Sequence, residues 1–102
     1  MILNLLNNAL DAMLERPTRR LGVQIDVEDE QCVMRISDSG GGIAEANLGR
    51  VFEPFFTTKP VGEGLGLGLA ISYGIVRDLG GNLEAANSAT GAVFTLRLPK
   101  HE

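Results

Sequence analysis

Lys59-Pro60-Val61-Gly62-Glu63-Gly64-Leu65-Gly66-Leu67-Gly68-Leu69-Ala70-Ile71-Ser72 places a glycine at every second position from Gly62 to Gly68 and then passes into an apolar run. Glycine leaves backbone N–H groups uncovered and admits positive φ, so such a loop can fold its amides around an anion. The apolar run predicts a helix from Gly66 or Leu67 to about Leu79, whose first N–H groups lack partners within the helix. An amide-lined loop opening into a helix suits a chain that grips phosphates. It is not a P-loop, because no Lys-Ser or Lys-Thr pair follows the glycines. It also lacks the G-x-G-x-x-G spacing and the clear preceding strand of a dinucleotide site. Taken alone, the run also fits a flexible hinge.

The totals narrow the setting. At 102 residues the chain is expected to form one domain, residues 1–102, with a single modest core. An apolar fraction of 44% with mixed charges belongs to a globular chain and not a disordered one. The net charge of −4 argues against a general nucleic-acid binder. A polyanionic ligand would therefore be held by local amides, one or two cations and a metal. The lone Cys32 excludes an internal disulfide, and its alternating setting predicts a buried packing thiol. No apolar run approaches the ~20 residues needed to span a bilayer, and no signal peptide is expected.

Upstream of the glycine run, Arg50-Val51-Phe52-Glu53-Pro54-Phe55-Phe56-Thr57-Thr58-Lys59 packs three of the four phenylalanines into five positions. Aromatics in an irregular segment must find cover, and a lid docking on the core supplies it. Further back, Asp38-Ser39-Gly40-Gly41-Gly42-Ile43 sets a carboxylate at a predicted strand end before three glycines. That arrangement suits a planar hydrogen-bond donor, such as a purine amino group, close to bare backbone. It equally fits a simple Asp-Gly turn.

At the N-terminus, Leu3, Leu6, Leu10 and Met13 or Leu14 recur at helical spacing and predict an apolar stripe. Asn4, Asn8 and Asp11 share another face, which reads as a solvated polar face or as hard oxygen ligands for Mg2+. The chain begins inside this helix, so Met1 is expected to be an interior start. Val23, Ile25 and Val27 predict a half-buried strand, Asp29-Glu30 a turn, and Cys32 or Val33, Met34 and Ile36 a second strand. Residues 44–49 read as a short helix. Leu67, Ala70 or Ile71, Ile75 and Leu79 are the expected buried stripe of the second helix, which Gly80-Gly81 stops. Two further strands flank a hairpin turn at Asn87-Ser88-Ala89-Thr90-Gly91.

Four stretches, in this order, resemble the ATP-binding catalytic domain of bacterial sensor histidine kinases, of the gyrase, Hsp90, histidine kinase and MutL superfamily. Asn4-Leu5-Leu6-Asn7-Asn8-Ala9-Leu10-Asp11-Ala12 looks like the N box, and Asp38-Ser39-Gly40-Gly41-Gly42 fits the D-x-G-x-G of the G1 box. Phe52-Glu53-Pro54-Phe55-Phe56 looks like the F box, and residues 62–69 are similar to the G2 box. The F-E-P-F-F-T-T-K run is most like the nitrogen-regulatory and C4-dicarboxylate sensors.

The resemblance implies an α+β two-layer sandwich of the Bergerat type. Its sheet would be mixed but mainly antiparallel, with helices on one face and the N-terminus truncated. It further implies that ATP and Mg2+ bind between helices and lid. Asn8 would be the Mg2+ ligand, supported by Asn4, with Asp11 nearby. Asp38 would receive the adenine amino group, with Gly40, Gly42 and Ile43 giving the ring close access. Gly62, Gly64, Leu65, Gly66, Leu67 and Gly68 would wrap the phosphates, while Arg50, Phe55, Thr58 and Lys59 complete the site. Asn8, Asn4 and Lys59 would carry the phosphoryl transfer.

The departures are informative. Where hydrolysing relatives place a water-activating glutamate, this chain has Asn4, which cannot act as a general base. That favours transfer to a protein acceptor. Leu65 stands where a threonine is common. His101 sits in a tail and is not expected to be the phosphoacceptor. The implied partners are a phosphoacceptor-histidine dimerisation domain of the same protein and a response-regulator receiver domain. Neither nucleic acid nor membrane is expected to contact this segment, and a cytoplasmic location is implied. The missing upstream strand predicts an uncovered sheet edge able to pair with a second copy. Alternatives on the same fold are a nucleotide-binding regulatory module without catalysis and an anti-sigma-factor-type serine kinase.

Overall fold

Two hairpins make the sheet. Strands β1 (Leu21–Glu28) and β2 (Gln31–Asp38) form the first, and β3 (Asn82–Asn87) and β4 (Ala92–Pro99) the second. The computed structural model describes residues 5–7, 9–10, 13, 17, 19–54 and 68–99. Among these the strand order is β1-β2-β4-β3, and every pairing is antiparallel. The helices are α1 (Glu45–Leu48) and α2 (Gly68–Asp78), with further helical residues at 5–7 and 9–10.

Alternation in the strands sorts the side chains onto two faces. One row across the sheet runs Val23, Ile36, Phe94, Ala85, and the next runs Ile25, Met34, Leu96, Leu83. Ile36, Phe94, Leu96 and Leu83 are buried in a cluster with Leu5, Ala9, Val76 and Ala92. The opposite face is charged. Arg35 pairs with Glu28 at 3.1 Å and Asp26 at 3.6 Å, and Arg97 with Glu28 at 3.7 Å and Glu84 at 3.9 Å. The hydrogen bond from Arg35, then the charges of Arg35 and Arg97, hold the Glu28 carboxyl below its ordinary range. Val33, on this face, is fully buried.

Both helical stripes keep part of the periodicity reading, with Met13 buried and Leu6 and Ala70 half-buried, but their most buried positions otherwise fall one residue away from it. Leu5, Ala9 and Met13 are buried at the N-terminus, whereas Leu10 is 49% exposed; Leu3 and Leu14 lie outside the described residues. In α2 the buried residues are Ser72 and Val76, flanked by half-buried Leu69 and Tyr73, whereas Ile71 is 53% exposed and Ile75 and Leu79 are also exposed. Small side chains at Ala9 and Ser72 allow a close approach that long aliphatics would prevent. Ser72 satisfies its hydroxyl within the helix, donating from Oγ to the Gly68 carbonyl at 2.9 Å. Gly80 at φ 82° ends α2, with Gly80 N donating to Arg77 O and Gly81 N to Val76 O.

Strand β1 also departs from expectation. Its apolar residues lie on the core face, yet Ile25 is 60% exposed and Leu21, Val23 and Val27 are exposed with it. Helix α2 packs on β3 and β4, and Leu5 and Ala9 share a buried cluster with Ile36 of β2, whereas no residue of the edge strand β1 belongs to that cluster. Cys32, opposite Val27, is exposed for the same reason and is not the buried thiol its alternation suggested.

The β1–β2 turn holds Asp29 at φ 50° and Glu30 at φ 64°, the geometry of a type I′ hairpin, whose second position favours glycine. A left-handed conformation costs a side-chain-bearing residue about 1–2 kcal/mol. Glu30→Gly is therefore expected to raise stability by up to about 1 kcal/mol, after glycine's own entropic cost, in urea unfolding.

Candidate functional site

Asp38 closes β2 on the core face and is only 4% exposed. Its Oδ1 accepts two backbone N–H bonds, from Gly40 at 2.8 Å and from Ala92 at 3.4 Å. The first closes an Asx turn, and the second ties the start of β4 to the end of β2. Among the described residues none donates to Oδ2. One oxygen thus holds the chain in the turn, and the other is left with capacity to accept a further hydrogen bond. Gly41 at φ 92° and Gly42 at φ 88° complete the turn in a conformation that favours glycine.

The glycine loop rests on the tip of the second hairpin. Gly41 N donates to Thr90 O at 3.2 Å. Asn87 accepts from Ile43 N and donates to Ile43 O, each at 2.7 Å. A Cβ on Gly42 would come within 2.8 Å of Asn87 Oδ1, and one on Gly91 would run into the Asp38 carbonyl. On the other side, Ser39 approaches Met13, with its N and Oγ each 3.4 Å from Sδ.

One core gathers the neighbourhoods of all four motif stretches. Leu5 and Ala9 are part of it, and Leu6, Ile43, Phe52, Leu69 and Tyr73 pack against it. Phe52 stacks on Tyr73 with centroids 5.1 Å apart and meets Phe94 edge-on at 6.2 Å. Leu5, Leu6 and Ala9 at the N-terminus, Ile43 after the glycine loop, Phe52 and the first turn of α2 therefore lie over the same side of the sheet.

Of the expected site residues, Asp38, Gly40, Gly42 and Ile43 form one continuous loop, and Gly68 is the first residue of α2. Arg50 Nε bonds Glu53 Oε2 at 3.0 Å, and both side chains are exposed. Asn4, Asn8, Asp11, Phe55, Thr58, Lys59, Gly62, Gly64, Leu65, Gly66 and Leu67 lie outside the described residues. Among the described residues no group of three or more His, Cys, Asp or Glu side chains is poised to hold a metal, and no helix is long and apolar enough to cross a membrane. A buried carboxylate with one uncommitted oxygen, beside exposed glycine backbone, fits a flat ligand carrying an N–H donor. Sequence reasoning took Asn87, Thr90 and Gly91 as mere turn residues. Nothing local links Asn87 to Ile43, 44 positions away.

Comparison with known proteins gives the family and the fold. The family described as histidine kinase-, DNA gyrase B-, and HSP90-like ATPase matches residues 1–102. The two-component sensor PprA of Pseudomonas aeruginosa is 48% identical over 103 aligned residues, covering 96% of this chain and 11% of PprA. The C4-dicarboxylate transport sensor protein DctB of the same organism is 47% identical, covering 93% of this chain and 16% of DctB. Among solved structures, a mycobacterial sensor histidine kinase, MprB, superposes with a TM-score of 0.84 at 33% identity, covering 96% of this chain and 68% of that one. The catalytic domain of histidine kinase ThkA also gives 0.84, at 32% identity, covering 97% and 63%.

The contact between Gly91 and Asp38 is testable by contrast with Gly74, around which no atom lies within 4 Å of an added Cβ. Gly91→Ala is expected to cost about 1–3 kcal/mol through overpacking. Gly74→Ala, inside α2, is expected to add about 0.5–1 kcal/mol. Paired urea titrations measure both.

Proposed function

Because this chain belongs to the family of histidine kinase-, DNA gyrase B- and HSP90-like ATPases, we propose that it is the ATP-binding catalytic module of a sensor histidine kinase. In this reading it passes the γ-phosphoryl of ATP to a histidine on a separate dimerisation domain, from which it moves to a response-regulator aspartate. The observation that carries the reading is Asp38, whose Oδ1 is spent on Gly40 and Ala92 while Oδ2 remains to accept the adenine amino group. Glycine backbone beside it admits the flat ring. The start of α2, over the same core, supports phosphate binding by the preceding glycine run.

Asn8, supported by Asn4, would hold Mg2+, which offsets phosphate charge when bound. Asp11, Phe55, Thr58 and Lys59 would close the site, with the backbone of Gly62, Gly64, Leu65, Gly66, Leu67 and Gly68 around the phosphates. Arg50 enters only if it exchanges Glu53 for the nucleotide. In the transfer, an imidazole nitrogen forms a bond to the γ-phosphorus as the β–γ bridging oxygen leaves with ADP. The chain's task is to hold donor and acceptor in line. The acceptor domain and regulator belong to the two-component pathway of its relatives, and a cytoplasmic site follows from ATP use.

A second observation favours self-association. β1 is an exposed edge with an apolar face. With Gln24 on a two-fold axis, Val23 meets Ile25 of the second copy, Leu21 meets Val27, and Arg20 stands opposite Glu28. The pairing is apolar on one face and charge-complementary on the other.

Calorimetric titration with ATP and with inosine triphosphate, which lacks the amino group, tests the purine contact. Asp38→Asn should weaken ATP binding by about tenfold to a hundredfold, the loss of a bond to a charged acceptor, and remove the preference for ATP. Incubation with labelled ATP and a purified phosphoacceptor domain should yield acid-labile label that Asn8→Ala abolishes. Acid-stable label on serine would indicate the serine-kinase alternative, and binding without transfer the regulatory one. For self-association, light scattering should show a dimer that Ile25→Lys converts to monomer; an unchanged mass for that variant rules out the β1 pairing.

A further inference from the structure

Asn87 is the last residue of β3, opposite Ala92 in the hairpin. Its amide oxygen accepts from Ile43 N, and its amide nitrogen donates to Ile43 O, both at 2.7 Å. A primary amide carries one acceptor and a donor group at fixed separation, so it pairs with both backbone groups of one residue as a neighbouring strand would. Only one orientation of the amide satisfies both partners. Asp could accept but not donate, and Ser or Thr lacks the span for both.

The clamp falls where the loop most needs support. Gly41 and Gly42, both at positive φ, precede Ile43 and contribute no side chains to fix it. Gly42 lies so close that an added Cβ would press on Asn87 Oδ1. One residue earlier, Gly41 N bonds Thr90 O. Asp38, at the start of the same loop, is tied to the same hairpin through Ala92 N. The loop is thus held at both ends by the β3–β4 hairpin, and Asn87 supplies the side-chain link at the Ile43 end.

We propose that Asn87 is a positioning residue for purine recognition: by clamping Ile43 it sets the gap between the glycine backbone and the Asp38 carboxylate into which an aminopurine fits. This rests on the ATP reading given above. Asn87 itself touches Ile43 and acts on the ligand through it. Its loss leaves the Asp38 Oδ1 bonds intact and frees the loop, so purine discrimination falls while phosphate affinity stays.

The test uses the full chain and titrates ATP, inosine triphosphate and tripolyphosphate, with thermal melts to follow folding. Asn87→Ala is expected to lower ATP affinity about tenfold, as for two solvent-exposed hydrogen bonds, and to bring ATP and inosine triphosphate close together. Tripolyphosphate affinity should stay at the wild-type value. Asn87→Asp, which keeps the acceptor and loses the donor, should fall between. Asn82→Ala, which removes an exposed amide paired with Glu84 at the other end of β3, should change none of the three. The clamp is overturned if both Asn87 variants keep the wild-type preference for ATP, or if ATP and tripolyphosphate weaken together. Asp38→Asn separates the two levels. Loss of preference there but not at position 87 removes the clamp alone. A chain without any preference for ATP, or one that keeps it in Asp38→Asn, removes the purine reading and the clamp together.

Discussion

One carboxylate oxygen ties the end of the β2–β4 ladder to the base of the glycine loop. Asp38 Oδ1 takes Gly40 N from its own loop and Ala92 N from β4, so the first hairpin ends only where the second begins. A buried carboxylate is costly unless its oxygens find donors, and backbone N–H groups meet that need without cancelling the charge. The same economy explains Gly91, whose missing side chain lets the two backbones meet. Move either hairpin, and the glycine loop loses its seat.

The helices obey a related constraint. Each reaches the sheet through its smaller residues, Ala9 at the N-terminus and Ser72 in α2, with Val76 and Leu5 filling the space beside them. Tyr73 stacks on Phe52, which meets Phe94 edge-on, and this aromatic contact holds Phe52 on the same core. That convergence brings segments far apart in the chain together over one face of the sheet.

The two sides of the sheet differ in how they are finished. Arg35 and Arg97 bridge Asp26, Glu28 and Glu84 across the outer face, in solvent where such pairs contribute modestly. The core face is covered over β2, β4 and β3 but bare over β1, so the apolar stripe of that strand faces water. A row of aliphatics at an open edge is a surface that invites a partner.

Sequence by itself determined the order of the elements and the chemistry of the motifs. Alternation placed the strands, glycines placed the turns, and the D-x-G-x-G and glycine-alternating runs pointed to a nucleotide, because these signals act between near neighbours. Tertiary structure alone decided which side of each helix is buried. Periodicity selects the most apolar stripe, whereas Ala9 and Ser72 are buried because small residues let helix and sheet approach. It also decided that β1 stands exposed, since alternation reports which residues share a face and not whether anything covers it. The clamp of Asn87 on Ile43 is of the same kind: two residues far apart in sequence become partners only when two hairpins are laid side by side.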